Sequence, residues 1–517
     1  MTKKKADALA PVPLAECESN GMAPAYVSDH ERHTVVPYDA KGREVYVVSD
    51  LHVAAGRSKD GNFEGTENFF ADDSFARFLS DLRSRKPGTV LVINGDFVDF
   101  LRVDRVPRNE DDFEAWRNSL ERIGIQKSVQ ELRQSITPKE ETYGLKTDDY
   151  KSVWKLRCSA AGHPQMFRAL GEWVAAGEPL VIVKGNHDLE WYWLAVRNYL
   201  RLIVAEYARE TLRRSVDDVL RDVVLPNVTF VDDAMLVEGE VYIEHGHRYD
   251  RFSNPIGGPV LENGTELNLP FGSFFNRYLI NRVELVFPYI DNVRPREKLL
   301  PLLFRERFPL ALRVLFDHLP FALLSVQKRY YRYMFTRVLT YVLAIGVPAV
   351  FVIVRYWTDI NDFIAGLQAP GTRGFVGLLV DQLTSLALST LGLFFSYALA
   401  RIVSFFQLDE PSSLARFARE GFEASPKCRY VTFGHTHDPE QFNIRDQWYH
   451  NTGTWIPVID VESAEIREDK TYTFLHYHRR PDGSLGTSSL HRWNDEAGRA
   501  QQLVLVSKKD QPASTPW

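Results

Sequence analysis

Five short apolar runs along the chain end in the same way. Val45 to Val48, Val90 to Ile93, Leu180 to Val183, Val241 to Ile243 and Tyr430 to Phe433 are uncharged and rich in β-branched or aromatic residues, the pattern of buried strands. Each gives way at once to polar side chains. The stretches are Asp50-Leu51-His52, Gly95-Asp96, Gly185-Asn186-His187-Asp188, His245-Gly246-His247 and Gly434-His435-Thr436-His437. Between the first two strands, Phe69, Phe70, Phe75, Phe78, Leu79 and Leu82 recur at roughly helical spacing and predict an amphipathic helix over 69–84. The charged stretch 104–147 reads as a solvated helical insertion, and 154–176 as a helix returning to the third strand. Alternation of strand and helix is the βα pattern of an α/β fold.

Open α/β sheets place their sites at the carboxyl ends of strands, so five such ends offering Asp, His and Asn define one candidate rim. The ligand set is oxygen and nitrogen without thiolate. That chemistry suits Mn²⁺ first, with Fe or Zn²⁺ as alternatives, over copper or iron–sulfur centres.

In order and spacing, these motifs resemble the calcineurin-like metallophosphoesterase family, whose D-x-H, G-D, G-N-H-D/E, lone H and G-H-x-H motifs build a two-metal site. The resemblance covers 44–255 and 411–460. It implies a two-sheet αββα sandwich. It also implies that one metal takes Asp50, His52, Asp96 and His437, and the other Asp96, Asn186, His245 and His435, with Asp96 bridging. A metal-bridging hydroxide would attack phosphorus between the two cations, which clamp the attacking and leaving oxygens. His187 matches the family histidine that assists the leaving group. Asp99 matches the carboxylate that orients it, and Asp188, His247 and Asp250 are candidate supporting residues. His450 and His163 read as structural, His163 as a turn residue.

Composition narrows the picture only a little. A chain of 517 residues with 25% charged and 44% hydrophobic residues is an ordinary folded protein of more than one domain. A formal net charge of −6 gives no global attraction for nucleic acid, and no basic patch is organised around the motifs. Cys17, Cys158 and Cys428 are scattered, without the spacing of a zinc site or a disulfide framework. Residues 1–40 lack the apolar run of a secretory signal peptide and read as a disordered tail.

The gap between His245 and His435 is where the chain departs from the bare fold. It holds two uncharged runs, 338–354 and 383–400, each near the minimum length for crossing a bilayer. Lys328, Arg329, Arg332 and Arg337 precede the first and Arg401 follows the second, which by the positive-inside rule sets both flanks in the cytoplasm. The expected organisation is a tail over 1–40, catalytic parts over 41–255 and 411–490, a helical insertion with a membrane hairpin over 256–410, and a C-terminal tail over 491–517. The expected protein is an inner-membrane phosphohydrolase facing the cytoplasm and contacting membrane lipids. Its expected substrate is a phosphorylated small molecule or, foremost, a lipid-linked phosphate or pyrophosphate. In this it is similar to the membrane-surface hydrolases of UDP-diacylglucosamine, which carry Arg where this chain has His187. A soluble nucleotide phosphodiesterase and a non-catalytic membrane scaffold are the competing readings.

Overall fold

The computed structural model describes residues 33–285 and 413–503, apart from 59, 64, 86, 87, 445, 461–465 and 487–489, together with scattered residues between 293 and 358. The chain divides into two compact units, one of 1–325 with 410–517 and one of 326–409. The runs 338–354 and 383–400 fall in the second unit and, all but Leu339, outside the described residues. Among the described residues no helix is long and apolar enough to cross a membrane.

The first unit is a mixed α/β structure built on two mixed sheets. Its strands up to the long gap are β1 (Val35–Tyr38), β2 (Glu44–Val48), β3 (Thr89–Asn94), β4 (Leu180–Val183), β5 (Val228–Val231), β6 (Ala234–Val237) and β7 (Val241–Glu244). After it come β8 (Tyr430–Phe433), β9 (Glu440–Ile444), β10 (Gln447–Asn451), β11 (Thr473–Arg479), β12 (Leu485–Gly486), β13 (Leu490–Asn494) and β14 (Arg499–Gln502). One sheet runs β14-β13-β11-β2-β3-β4-β5, with β12 paired to β11. Its centre, β2 to β5, is parallel, and β11 joins β2 antiparallel. The other runs β1-β6-β7-β8-β10-β9, with β7, β8 and β10 parallel.

Stacking explains why the motif-bearing strands are apolar without alternation. Val45, Val47, Val90, Val92, Val181 and Val183 face Met235, Val237, Val241 and Ile243 of the other sheet in a shared core. The intervening residues, Tyr46, Val48, Leu91, Ile93, Leu180 and Ile182, point the opposite way into a layer of helices. A strand buried on both faces must be hydrophobic at every position. Each buried valine of the inter-sheet core contributes roughly 1.5–3 kcal/mol.

The helical layer comprises α1 (Asp72–Arg85), α2 (Glu110–Glu121), α3 (Val129–Gln134), α4 (Pro138–Tyr143), α5 (Asp149–Gly162), α6 (Pro164–Ala175) and α7 (Leu194–Leu212). In α1, Phe75, Phe78, Leu79 and Leu82 are buried, whereas Phe69 packs from the preceding loop. Stretch 104–147 is not merely solvated. Ser128 with Glu131 and Thr137 with Glu140 form capping boxes, and Trp116, Leu120 and Leu132 enter the main core.

Four boundaries differ from the sequence reading. The helix expected over 154–176 is two, α5 and α6, divided at His163-Pro164, because proline lacks the N–H a continuous helix needs. Strand β1 lies within the expected N-terminal tail and pairs with β6. Strands β13 and β14 form a hairpin on the sheet edge, so ordered structure continues well past 491. Residues 256–285, read as the start of the insertion, belong to the first unit. The pairing of β1 with β6 joins Val35 to Ala234, a separation in sequence that local periodicity does not report.

Candidate metal centre

The five motifs sit just beyond β2, β3, β4, β7 and β8, three strands of one sheet and two of the other. The backbone turns sharply there. Asp50, His52, Asp96, His435 and His437 all have positive φ, between 50° and 73°, and they make up half of the non-glycine residues so disposed among those described. Left-handed backbone costs about 1–3 kcal/mol at each such residue and persists only where the surroundings over-determine it. Glycine makes the close approaches. A Cβ on Gly95, itself at φ +81°, would lie 2.3 Å from His245 Nδ1, and one on Gly185 would lie 2.2 Å from Asp96 Oδ1.

Buried Asp and His side chains converge in groups that can hold a metal ion: Asp50 with His52 and His437, and Asp96 with His245 and His435. In the first, His437 Nε2 lies 3.0 Å from His52 Nε2 and 3.3 Å from Asp50 Oδ1. In the second, His245 Nε2 lies 3.2 Å from both Asp96 Oδ2 and Asn186 Oδ1. Asp96 Oδ2 is also 3.7 Å from His52 Nε2, so this carboxylate stands between the groups.

Hydrogen bonds at the far side of each ring fix what faces inward. His245 Nδ1 meets the carbonyl oxygen of Asn94 at 2.9 Å, which can only accept, so Nδ1 carries the proton. A neutral His245 then turns a lone pair toward two further acceptor oxygens. His52 Nδ1 likewise meets Asp99 Oδ2 at 3.0 Å, leaving the lone pair of Nε2 for the interior. Asp50 Oδ1 is fully buried without a hydrogen-bond donor. Acceptors crowded together without protons, around an orphaned carboxylate oxygen, fit a cation.

The electrostatics say the same. Burial opposes ionisation of Asp96, yet the His245, His187 and His52 rings hold its carboxyl well below the usual range. Burial also works against charge on His245, and the Asp96 and Asp50 carboxylates still push it up to about 10. Asp50 is lowered as well, against its burial, by the His437 ring 3.3 Å from its Oδ1 and by the His245 charge.

The remaining sequence candidates surround this cluster. His187 donates its backbone N–H to Asp96 Oδ1 at 2.8 Å, and its Nδ1 lies 2.8 Å from Asp99 Oδ2. Its side chain keeps 16% exposure where Asp99 has none, and Nε2 is the ring nitrogen not engaged with Asp99. Burial lowers the His187 pKa, but Asp99 and Asp96 outweigh it and raise it to about 9. Asp188 accepts backbone N–H groups from Gly185 and Phe97 at 2.6 and 2.8 Å, tying the second motif to the third. Asp250 Oδ2 lies 3.1 Å from His435 Nε2, which leaves Nδ1 of that ring for the interior. His247 stacks obliquely 5.5 Å from His245, with Nδ1 buried and without a hydrogen bond.

Three supports escaped the sequence reading. Asn94 anchors His245, Thr454 Oγ1 donates to the Asp50 carbonyl at 2.7 Å, and Asn451 Nδ2 donates to the Gly434 carbonyl. Their signal is spatial, with Thr454 lying 404 positions from Asp50. His450 is buried in β10, its ring stacked on Tyr430 and Trp448. His163 is no turn residue in the ordinary sense. It is fully buried between Glu67 and Asp72.

No family model and no curated protein matches this chain. What the fold and the site define is therefore a class: a mixed α/β protein of two stacked sheets whose strand ends gather buried Asp and His groups that can hold a metal ion.

Proposed function

We propose that the chain is a dinuclear-metal phosphohydrolase of the calcineurin-like metallophosphoesterase type. It is held at the inner membrane with its site toward the cytoplasm, and it cleaves a phosphoester or pyrophosphate bond of a lipid-linked substrate. The observation that carries this reading is the convergence on Asp96 Oδ2 of rings from two sheets, with His52 at 3.7 Å and His245 at 3.2 Å. One carboxylate oxygen shared by two ligand groups is the geometry that a bridged pair of cations requires.

Asp50, His52, Asp96 and His437 would hold one ion, and Asp96, Asn186, His245 and His435 the other, with Mn²⁺ as the first choice for an oxygen and imidazole set. Two divalent ions supply Lewis acidity and an acidified water to an in-line displacement at phosphorus. Asn186 contributes a neutral oxygen, so the site keeps more positive charge for an anionic phosphoryl group than a carboxylate there would leave. His187, protonated and tethered through Nδ1 to Asp99, presents Nε2 to the departing oxygen and gives up its proton there. Asp99 fixes that ring and stays ionised beneath it.

The membrane part of the reading is supported by the two uncharged runs. It is supported also by where apolar surface lies: of ten exposed large hydrophobic residues among those described, Leu285, Phe308, Leu312, Tyr331, Phe335 and Trp357 fall between 285 and 357.

The test is Mn²⁺-dependent hydrolysis of aryl phosphate mono- and diesters by detergent-purified protein, with Asp96→Asn as control. Turnover by the wild type alone upholds the reading. Metal-loaded wild type inert toward simple esters, nucleotides and lipid-linked phosphates alike would refute it. A preference for water-soluble nucleotides over lipid-linked esters would replace the lipid substrate with a soluble one. Carbonate washing reads the anchor, since release of the intact chain from membranes rules out insertion.

A further inference from the structure

Asp99 carries more than one histidine. Its Oδ2 meets His187 Nδ1 at 2.8 Å, His52 Nδ1 at 3.0 Å and Arg102 Nε at 3.3 Å. Arg102 is only 1% exposed, so it does not reach solvent or a substrate. Its guanidinium instead extends away from the centre, donating to the Thr66 carbonyl at 3.3 Å and forming a short ion pair with Glu284, which is equally buried. Glu284 ends a helical run that begins at Phe271.

Three side chains on one face of that run grip the loops beside the site. Arg277 Nη2 donates to the Leu145 carbonyl at 2.7 Å, Asn281 Nδ2 donates to the Leu101 carbonyl at 2.8 Å, and Glu284 takes Arg102. Their spacing of four and three residues is that of one helix face. A buried guanidinium beside a cation site is costly unless paired. Glu284 neutralises Arg102 and draws part of its donor capacity off Asp99, which leaves Oδ2 for the two imidazoles.

We propose that Glu284 and Arg102 are positioning residues: through a buried Glu284, Arg102 and Asp99 chain, the helical run 271–284 sets the oxygen that orients both His187 and His52. This rests on the phosphohydrolase reading for its His187 arm. The His52 arm concerns metal binding alone. When Glu284 loses its charge, Arg102 is held less firmly away from Asp99 and competes with His187 for Oδ2.

The test compares phenyl and 4-nitrophenyl phosphate esters, in whichever of the mono- or diester series wild type turns over faster, at saturating Mn²⁺. A phenolate leaves poorly and needs the His187 proton, whereas 4-nitrophenolate leaves readily. Glu284→Gln is expected to lower kcat on the phenyl ester about tenfold more than on the 4-nitrophenyl ester, with KM little changed. Added to His187→Ala, it is expected to cost nothing further. Calorimetric titration of metal-free protein with Mn²⁺ is expected to show binding weakened about tenfold, the effect of loosening a carboxylate behind a histidine ligand. Equal losses on both esters, or a further loss on top of His187→Ala, overturn the His187 arm. Unchanged Mn²⁺ affinity overturns the His52 arm. If Glu284→Gln does not fold, Glu284→Asp keeps the buried charge but shortens its reach to Arg102, leaves the guanidinium freer to turn to Asp99, and carries the same comparisons. A wild type that binds Mn²⁺ and hydrolyses neither ester overturns the phosphohydrolase reading with the His187 arm, and the calorimetry still decides the other.

Discussion

His163 couples the stability of this fold to pH. The ring is fully buried, with Nε2 2.9 Å from Glu67 Oε2 and Nδ1 3.0 Å from Asp72 Oδ2. Glu67 in turn accepts the backbone N–H groups of Gly56 and Phe69 at 2.6 and 2.7 Å, closing the loop that follows Asp50 and His52. Burial pushes the His163 pKa down, but the two carboxylates outweigh it and lift it from 6.5 to about 9. The folded state therefore holds a proton that the unfolded chain releases. The stabilisation is complete below pH 6.5 and is lost as pH rises through about 9. At 1.36 kcal/mol per pH unit, the full lift corresponds to roughly 3 kcal/mol as an upper value. His163→Gln fills similar space without the charge. Urea unfolding followed by tryptophan fluorescence, at intervals from pH 6 to pH 10, should show wild type more stable at pH 6 and the gap narrowing by up to about 3 kcal/mol at the alkaline end. A gap that stays constant across that range would refute the buried imidazolium.

Further outcomes follow from the geometry of the centre. Asp96→Asn removes the oxygen between the two ligand groups, and elemental analysis of Mn²⁺-reconstituted protein should show metal content falling to one ion or none, with hydrolysis down at least about 100-fold. Gly185→Ala drives a methyl group to 2.2 Å from Asp96 Oδ1, and should cost about 1–3 kcal/mol in unfolding experiments while weakening Mn²⁺ binding in the same protein. His187→Ala should lose about 10²-fold or more on phenyl esters and much less on 4-nitrophenyl esters, with metal content preserved, as stopped assays on both substrates would show.

The polar residues gathered at the strand ends were legible because their signal is local. A β-branched run sets a strand, glycine permits the turn, and Asp, His or Asn within the next few positions falls at the strand end. Continuous apolarity also announced strands covered on both faces, as Val45 to Val48 and Val90 to Ile93 are. The supporting residues gave no such signal. Arg102 reads as one more charge after a motif until Glu284 is brought to it from 182 positions away, and Thr454 reaches Asp50 only because the strands carry distant segments to one rim.

The chain by itself thus determined which residues end the strands and what chemistry they offer, since backbone propensity and side-chain type act over a few neighbours. Only the tertiary structure decided that His163 is caged between the carboxylates of Glu67 and Asp72, that the stretch after 491 closes a sheet edge, and that Asp99 Oδ2 serves two rings at once. Burial, proton placement and strained backbone are properties of an enclosed volume. They exist only once remote segments have excluded the water between them.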